Sequence, residues 1–230
     1  MFYFNKILDV KNFYNKNARF YELAHHFQTL YADNYHRLAV ADAADFQEGE
    51  VVLDVGTGTS LAAICAINIS HPLTPIRIIG VDLSSKMLEK ARKNCHHYRI
   101  HNQIFVINCD ARVLPLRDSL FDKVISVYGI GGVKTKIKRL FIELLRVGKK
   151  EVMFSLGEMT APPKDKSLLW QKIHELVVEP FINLVWQFKD LNLANIFRIF
   201  NIKILRRKYF NNYYLGSMTL LVGKLQNHVN

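Results

Sequence analysis

The chain has 230 residues, half of them hydrophobic and 22% charged, with 31 Lys and Arg against 20 Asp and Glu for a formal net charge of +11. That length supports one sizeable core rather than two ordinary ones, and the balance of apolar and charged residues excludes a disordered chain or a fibrous repeat. The basic excess suits an anionic partner such as RNA or an acidic membrane surface, or simply a soluble basic protein, and does not choose among them.

The three cysteines, Cys65, Cys95 and Cys109, are odd in number and show no CxxC spacing. Neither a disulfide framework nor a zinc knuckle is expected, and a reducing cytoplasm fits best. The start, Met1-Phe2-Tyr3-Phe4-Asn5-Lys6, lacks a basic stretch followed by an apolar one and does not read as a secretory signal. No apolar run reaches the roughly 18 uncharged residues of a membrane span.

From about Lys11 to Phe46, apolar residues at three and four spacing (Phe20, Leu23, Ala24, Phe27, Leu30, Tyr31) predict a helical preface. The period then changes. Val51-Val52-Leu53 reads as a strand, Asp54 to Ser60 as a Gly-rich turn, and Leu61 to Ile67 as a buried helix. The unit recurs: a strand over Ile76 to Val81, a helix capped by Ser84 or Ser85 and running through Arg92, and a strand over Ile104 to Ile107. Val124 to Val127 is a fourth strand, Lys136 to Leu145 a helix, and Val152 to Phe154 a fifth strand.

After Pro162-Pro163 about forty residues carry a helical pattern, with Phe181, Leu184, Val185, Phe188 and Leu191 on one stripe. Packing on the protein's own core is the ordinary use of such a stripe; roofing an apolar pocket or touching a membrane is the other. Two strands, Ile202 to Phe210 and Ser217 to Val222, close the chain. Strands alternating with helices imply an α/β, Rossmann-like, seven-stranded and mostly parallel sheet with helices on both faces. The expected organisation is a single domain: a helical cap at 1–48, a cofactor-binding core at 49–158, a helical insertion or lid at 159–200, and a strand pair at 201–230.

In such sheets ligands gather beyond the carboxyl ends of the strands. Three successive strands end there in an acid: Asp54 before Val55-Gly56-Thr57-Gly58-Thr59, Asp82 before Leu83-Ser84, and Asp110 before Ala111. Any one of these is commonly a turn or helix cap; three in corresponding places point to a ligand. The turn departs from the dinucleotide pattern GxGxxG, whose third glycine position holds Leu61. An acid at this loop repels phosphate and suits a cationic sulfonium and ammonium, as in S-adenosylmethionine. Asp82 is placed to accept hydrogen bonds from two ribose hydroxyls, and Asp110 to accept one from an adenine amino group.

Val52-Leu53-Asp54-Val55-Gly56-Thr57-Gly58-Thr59, Val81-Asp82-Leu83-Ser84, Asp110-Ala111 through Leu114-Pro115-Leu116, and Phe121-Asp122 resemble the class I S-adenosylmethionine-dependent methyltransferases. Arg19-Phe20-Tyr21-Glu22, His36-Arg37-Leu38, Ser126-Val127-Tyr128-Gly129-Ile130 and Glu143-Leu144-Leu145-Arg146-Val147 are similar to the ubiquinone and menaquinone biosynthesis group within it. The resemblance covers residues 13 to 156. It implies cofactor contacts from Gly56, Thr57, Gly58, Thr59, Asp82, Leu83, Asp110, Ala111 and the Val127 position. Ser60 stands where the family usually has a third glycine, Gly148-Lys149-Lys150 replaces its Lys-Pro-Gly-Gly turn, and 160 to 200 has no counterpart in the resemblance.

By the same resemblance Tyr21 lies over the methionyl end of the cofactor, where an aromatic face attracts a cation; a core aromatic is the equal alternative. His25, His26 and His36 are the candidates for a general base, with Glu22 behind them. Cys95-His96-His97 with His101 falls at a helix end away from the expected cleft and reads as surface histidines, with no metal required. The first functional reading is methyl transfer to a small-molecule or lipid-like acceptor, quinol-like by resemblance, in the cytoplasm or at a membrane periphery. An RNA or protein methyltransferase is second, since Lys134/Lys136/Lys138/Arg139 and Arg206-Arg207-Lys208 can hold phosphate but are more often solvated faces. A non-catalytic binding subunit that retains the fold is third.

Overall fold

The sheet grows outward in both directions from β1 (Val51–Val55). In the computed structural model, which describes residues 7–29, 32–70, 75–131, 136–159, 191–210 and 218–226, β1 pairs in parallel with both β2 (Arg77–Asp82) and β4 (Phe121–Val127). Beyond β2 lies β3 (Ile104–Asn108), and beyond β4 lies β5 (Gly148–Met159), each again parallel. The chain turns back on itself in β6 (Ile202–Phe210) and β7 (Met218–Leu225), β7 running antiparallel between β5 and β6. The order β3-β2-β1-β4-β5-β7-β6 gives the seven-stranded, mostly parallel sheet expected from the alternating pattern. Strand order reverses between β1 and β4, which opens a crevice at their carboxyl ends.

Seven helices are described: α1 (Ile7–Asn17), α2 (Tyr21–Thr29), α3 (Ala32–Ala43), α4 (Leu61–Ile69), α5 (Ser85–His97), α6 (Ile137–Val147) and α7 (Leu193–Ile199). One face of the sheet packs on α6 and α7 through Phe141, Phe154, Phe197 and Leu221; the other packs on α3 and α4 through Val40, Ala63, Ile67 and Ile78. Leu191 joins the first cluster, whereas Phe181, Leu184, Val185 and Phe188 of the expected stripe lie outside the described residues.

Two elements run longer than their local pattern. α5 continues past Arg92 to His97 because Cys95 extends its buried face of Met87, Leu88 and Ala91, and it is capped by Ser84, whose Oγ accepts from the Met87 N–H at 3.1 Å. β5 is twelve residues long since Gly148 already pairs with Phe121 directly at the end of α6, before a register shift over the exposed Lys149-Lys150-Glu151. In the preface, Phe20 and Leu23 point outward, 62% and 54% exposed, so the helical spacing there does not mark a buried stripe.

Lys123, buried in β4, fastens the preface to the sheet. Its Nζ donates to the carbonyl of Ala44 at 2.7 Å and to that of Asp45, just beyond the end of α3, and stands 3.3 Å from the Glu50 carboxylate. Lys123→Met would leave these carbonyls and a half-buried carboxylate without their cation, and is expected to cost about 2–4 kcal/mol. Urea denaturation measures it; a change under about 0.5 kcal/mol, the scale of an ordinary surface substitution, would contradict this role.

Candidate active site

The carboxyl ends of β1 to β4, covered by α1 and α2, enclose a cleft of about 760 Å³ counting its open mouth. Its wall includes Gly56 and Gly58 after β1, Asp82, Leu83 and Ser84 after β2, Cys109, Asp110 and Ala111 after β3, and Val127, Tyr128 and Gly129 after β4. From above come Val10, Lys11 and Tyr14 of α1 and Tyr21 of α2.

The first loop is shaped by backbone demands. Gly56 has φ +68°, and its N–H and that of Thr57 donate to the Val81 carbonyl at 2.9 and 3.0 Å, folding the turn against β2. A Cβ on Gly56 would come within 2.6 Å of the Gly129 Cα, so the β1 and β4 loops touch backbone to backbone. Ser60 is also left-handed, at φ 62°, a region that favours glycine.

Asp82 organises the cleft floor: Oδ2 accepts from the Gly58 N–H at 3.0 Å and Oδ1 from the Ser84 N–H at 2.8 Å. Burial pushes its carboxyl upward against these hydrogen bonds. Asp110 faces the opposite balance. Burial acts to raise it, but the Arg112 guanidinium, bound to both oxygens at 2.6 to 3.1 Å, holds it below the ordinary range.

Asp54, Thr57 and Thr59 sit behind this wall rather than in it. Asp54 is fully buried and accepts from the Thr57 hydroxyl at 2.6 Å, which in turn contacts Ser60 Oγ at 3.1 Å. Burial pushes the Asp54 pKa up to about 7, with the Asp82 charge adding to it and the Thr57 hydrogen bond opposing it. A carboxyl raised by folding holds its proton in the folded state, so it stabilises the fold below about pH 4, the unfolded value, and that contribution is lost as pH rises through about 7. Asp54→Asn keeps an acceptor for Thr57 without this titration. Its stability relative to wild type is therefore expected to improve by roughly 2–3 kcal/mol between pH 5 and pH 8. Urea melts at the two pH values check this, and parallel changes in both proteins would contradict it.

The histidines are held by a network beside the cleft, not in its wall. His25 Nδ1 lies 3.2 Å and His26 Nδ1 2.9 Å from Asp33 Oδ2, which also takes Arg37 at 2.8 Å. His36 Nδ1 is hydrogen-bonded to the hydroxyl of Tyr128, whose ring lies 5.2 Å from that of His25. Burial lowers His25 and depresses His36 to about 4, so the His36 imidazole is neutral at ordinary pH and accepts from a Tyr128 hydroxyl that burial keeps protonated. Tyr128 itself occupies the left-handed region at φ 60°, a costly conformation for an aromatic residue that presents it to the cleft.

Of the residues singled out in the sequence, the cleft brings together Tyr21, Gly56, Gly58, Asp82, Leu83, Asp110, Ala111 and Val127. Sequence reasoning passed over Lys11, Tyr14, Met87, Cys109 and the wall position of Tyr128. Tyr14 and Tyr21, seven residues apart with rings 5.8 Å from each other, carried a helical-spacing signal that an intervening turn obscured. The roof is tied down by polar contacts: Ser84 Oγ donates to Asn15 Oδ1 at 2.7 Å, and Glu22 accepts from Asn94 at 3.1 Å. His96, His97 and His101 are exposed, with the His96 and His101 rings stacked at 4.5 Å. No group of three or more metal-ligating side chains lies together among the described residues.

A cleft floored by carboxylates, with glycines where a ligand approaches backbone, suits a nucleoside carrying positive charge and disfavours a phosphate. Comparison with known proteins agrees: residues 52–151 match a methyltransferase domain family. The chain is 29% identical over 165 residues to a demethylmenaquinone methyltransferase of Thermobifida fusca, covering 70% of this chain and 67% of that protein. It is 33% identical over 119 residues to a ubiquinone/menaquinone biosynthesis C-methyltransferase of Geotalea uraniireducens, covering 51% and 48%. The chain thus matches between about half and two thirds of the length of these relatives. A SAM-dependent methyltransferase from Aquifex aeolicus superposes with TM-score 0.58 at 16% identity, covering 83% of this chain and 89% of that one.

The chain is an S-adenosylmethionine-dependent methyltransferase with the α/β, Rossmann-like fold of such enzymes. Its cofactor is S-adenosylmethionine. Among the described residues, no helix of this methyltransferase is long and apolar enough to cross a membrane.

Proposed function

We propose that this methyltransferase holds S-adenosylmethionine along the cleft floor and transfers its methyl group to a ring carbon of a lipid-like quinol. The observation that carries the cofactor placement is the convergence of Asp82, Asp110 and the Gly56–Gly58 loop on one cleft. Asp82 takes the ribose hydroxyls, with Asp110, Leu83 and Ala111 around the adenine; the methionyl end lies toward Gly56, Tyr14 and Tyr21. Lys11 is a cation in the wall for the methionyl carboxylate. Asp54, Thr57 and Thr59 support the loop from behind.

The cofactor supplies a methyl group on a good leaving group, so the protein's part is alignment, exclusion of water and management of one proton. Transfer would form a carbon–carbon bond as the sulfur–carbon bond breaks and S-adenosylhomocysteine leaves, and the ring carbon would then give up its proton to solvent water. The acceptor enters on the Tyr128 side, where Tyr14, Tyr21 and Val127 make an apolar and aromatic wall suited to a flat ring. His36, neutral and buried, fixes the Tyr128 hydroxyl; His25 and His26 hold Asp33. Their role is positioning.

Support for a quinol comes from the names of the relatives and from this aromatic wall. Incubation with methyl-labelled S-adenosylmethionine and a short-chain demethylmenaquinol tests it. Label on the quinone ring is the expected result; label on added RNA or protein and none on the quinol would overturn it.

A further inference from the structure

The outer edge of the sheet carries a second surface that the methyl-transfer site does not use. β6 has no strand beyond it among the described residues, and Lys203, Arg206, Arg207 and Lys208 along it are all exposed. Among the described residues none of the four pairs with a carboxylate; nearby Lys224, by contrast, is bound to Glu151 at 2.6 Å.

The register sorts these cations by face. Lys203, Arg206, Lys208 and Phe210 stand opposite Lys224, Val222, Leu220 and Met218 of β7, which share one side of the sheet because side chains alternate along a strand. That is the side of α3: Met218, Leu220 and Val222 pack in the same cluster as Val40 and Ala41. The irregularity between Ile204 and Arg206 inserts Leu205 as an extra residue. Without it, Arg206, Lys208 and Phe210 would fall on the opposite face.

Apolar side chains are interleaved with the charge. Leu205 is 52% exposed at the irregularity, and on α3 Tyr35 and Leu38 are 55% and 43% exposed. The Tyr35 ring meets Phe210 edge-on at 5.5 Å, and the Lys208 ammonium lies 4.8 Å from the centroid of the same Phe210 ring. Basic groups beside an exposed tyrosine and aliphatic side chains are the chemistry of a water–bilayer boundary carrying anionic headgroups. A nucleic acid would answer the cations but gives exposed leucines nothing to enter, since it is bound by aromatic stacking and polar contacts. Edge lysines that only prevent strand-to-strand association do not require exposed aliphatic neighbours.

We propose that the α3-side face of the β6 edge, with Tyr35 and Leu38, docks on an anionic lipid surface. The patch leads to the cleft: Phe210 lies 5.5 Å from the ring of His36, which is hydrogen-bonded to Tyr128 in the cleft wall. Docking through this face brings the Tyr128 side of the cleft next to the bilayer. The inference goes beyond the quinol reading and is tested without an acceptor, so the two fail separately.

The experiment is co-sedimentation of the full chain with phosphatidylcholine vesicles, with and without phosphatidylglycerol, at low and high salt. Wild type is expected to bind the anionic vesicles and to lose most of that binding in high salt. K203E/R206E/K208E should weaken it at least about tenfold, and L38Q/L205Q several-fold. Both variants should titrate S-adenosylhomocysteine as wild type does, which verifies the fold. Equal vesicle binding by wild type and charge-reversed protein would overturn the proposal. So would absence of vesicle binding alongside capture of a single-stranded RNA oligonucleotide that the same reversal abolishes.

Discussion

Asp82→Ala is expected to weaken S-adenosylmethionine binding by about 3 kcal/mol or more, roughly 100-fold in Kd, while leaving a folded protein. Two effects combine. The proposed ribose contact consists of two hydrogen bonds to one carboxylate, each worth about 1.5–3 kcal/mol when the acceptor is charged. The same carboxylate also fixes the N–H groups of Gly58 and Ser84, so its removal loosens both loops that frame the floor. Asp82→Asn, which keeps one carbonyl oxygen and no charge, should fall between alanine and wild type. Calorimetric titration of the three proteins decides it. Alanine binding within about threefold of wild type would mean that the nucleoside does not lie on Asp82, since a factor of three is under 1 kcal/mol.

Gly129→Ala should be the most damaging single-methyl change. A Cβ there would stand 2.2 Å from the Val55 carbonyl oxygen and 3.0 Å from the Gly56 Cα, both of them backbone, besides 2.8 Å from Ser126 Oγ. No side-chain rotation relieves a backbone clash at the point where β1 and β4 diverge, so the loops must separate. The expected cost is about 3–5 kcal/mol, a fall in Tm of roughly 6–20 °C for a chain of this size, with loss of cofactor binding. Gly49→Ala is the contrasting case. Gly49, unlike Gly129, has a positive φ, +71°, but a Cβ there meets nothing within 4 Å, so the change should cost only the roughly 1–2 kcal/mol of a left-handed alanine. Equal melting temperatures for the two variants would contradict the close approach of these loops.

The strands and the three acids at their ends were legible because each is a local signal: a short β-branched run, then an acid, then a turn. The parallel core follows from that repetition alone, and the terminal pair from two further strand patterns. What the sequence could not reveal is which of the neighbouring residues face the ligand. Asp54 and Asp82 occupy equivalent places in their motifs, yet Asp54 turns behind the loop to meet Thr57 while Asp82 lies on the cleft floor. The difference depends on how the glycine turn folds onto Val81, a tertiary fact.

The histidines show the same limit. Their place in a helical preface was readable, but Asp33, eight residues from His25, and Tyr128, ninety-two from His36, decide what the rings do. With His36 depressed to about 4, its ring is neutral near neutral pH and its Nδ1 is taken by the Tyr128 hydroxyl. Lys11 and Tyr14 escaped notice because nothing in a short amphipathic helix marks which residue will roof a cleft formed forty residues later. Even the bulge at Leu205, which reverses the faces of β6, leaves the alternation of that strand unreadable by spacing.

The most direct test of the account is equilibrium titration of the purified wild-type chain with S-adenosylmethionine and S-adenosylhomocysteine. One saturable site per chain for both ligands, lost with Asp82→Ala, is the predicted result. A folded wild-type protein that binds neither would contradict the placement of the cofactor in this cleft.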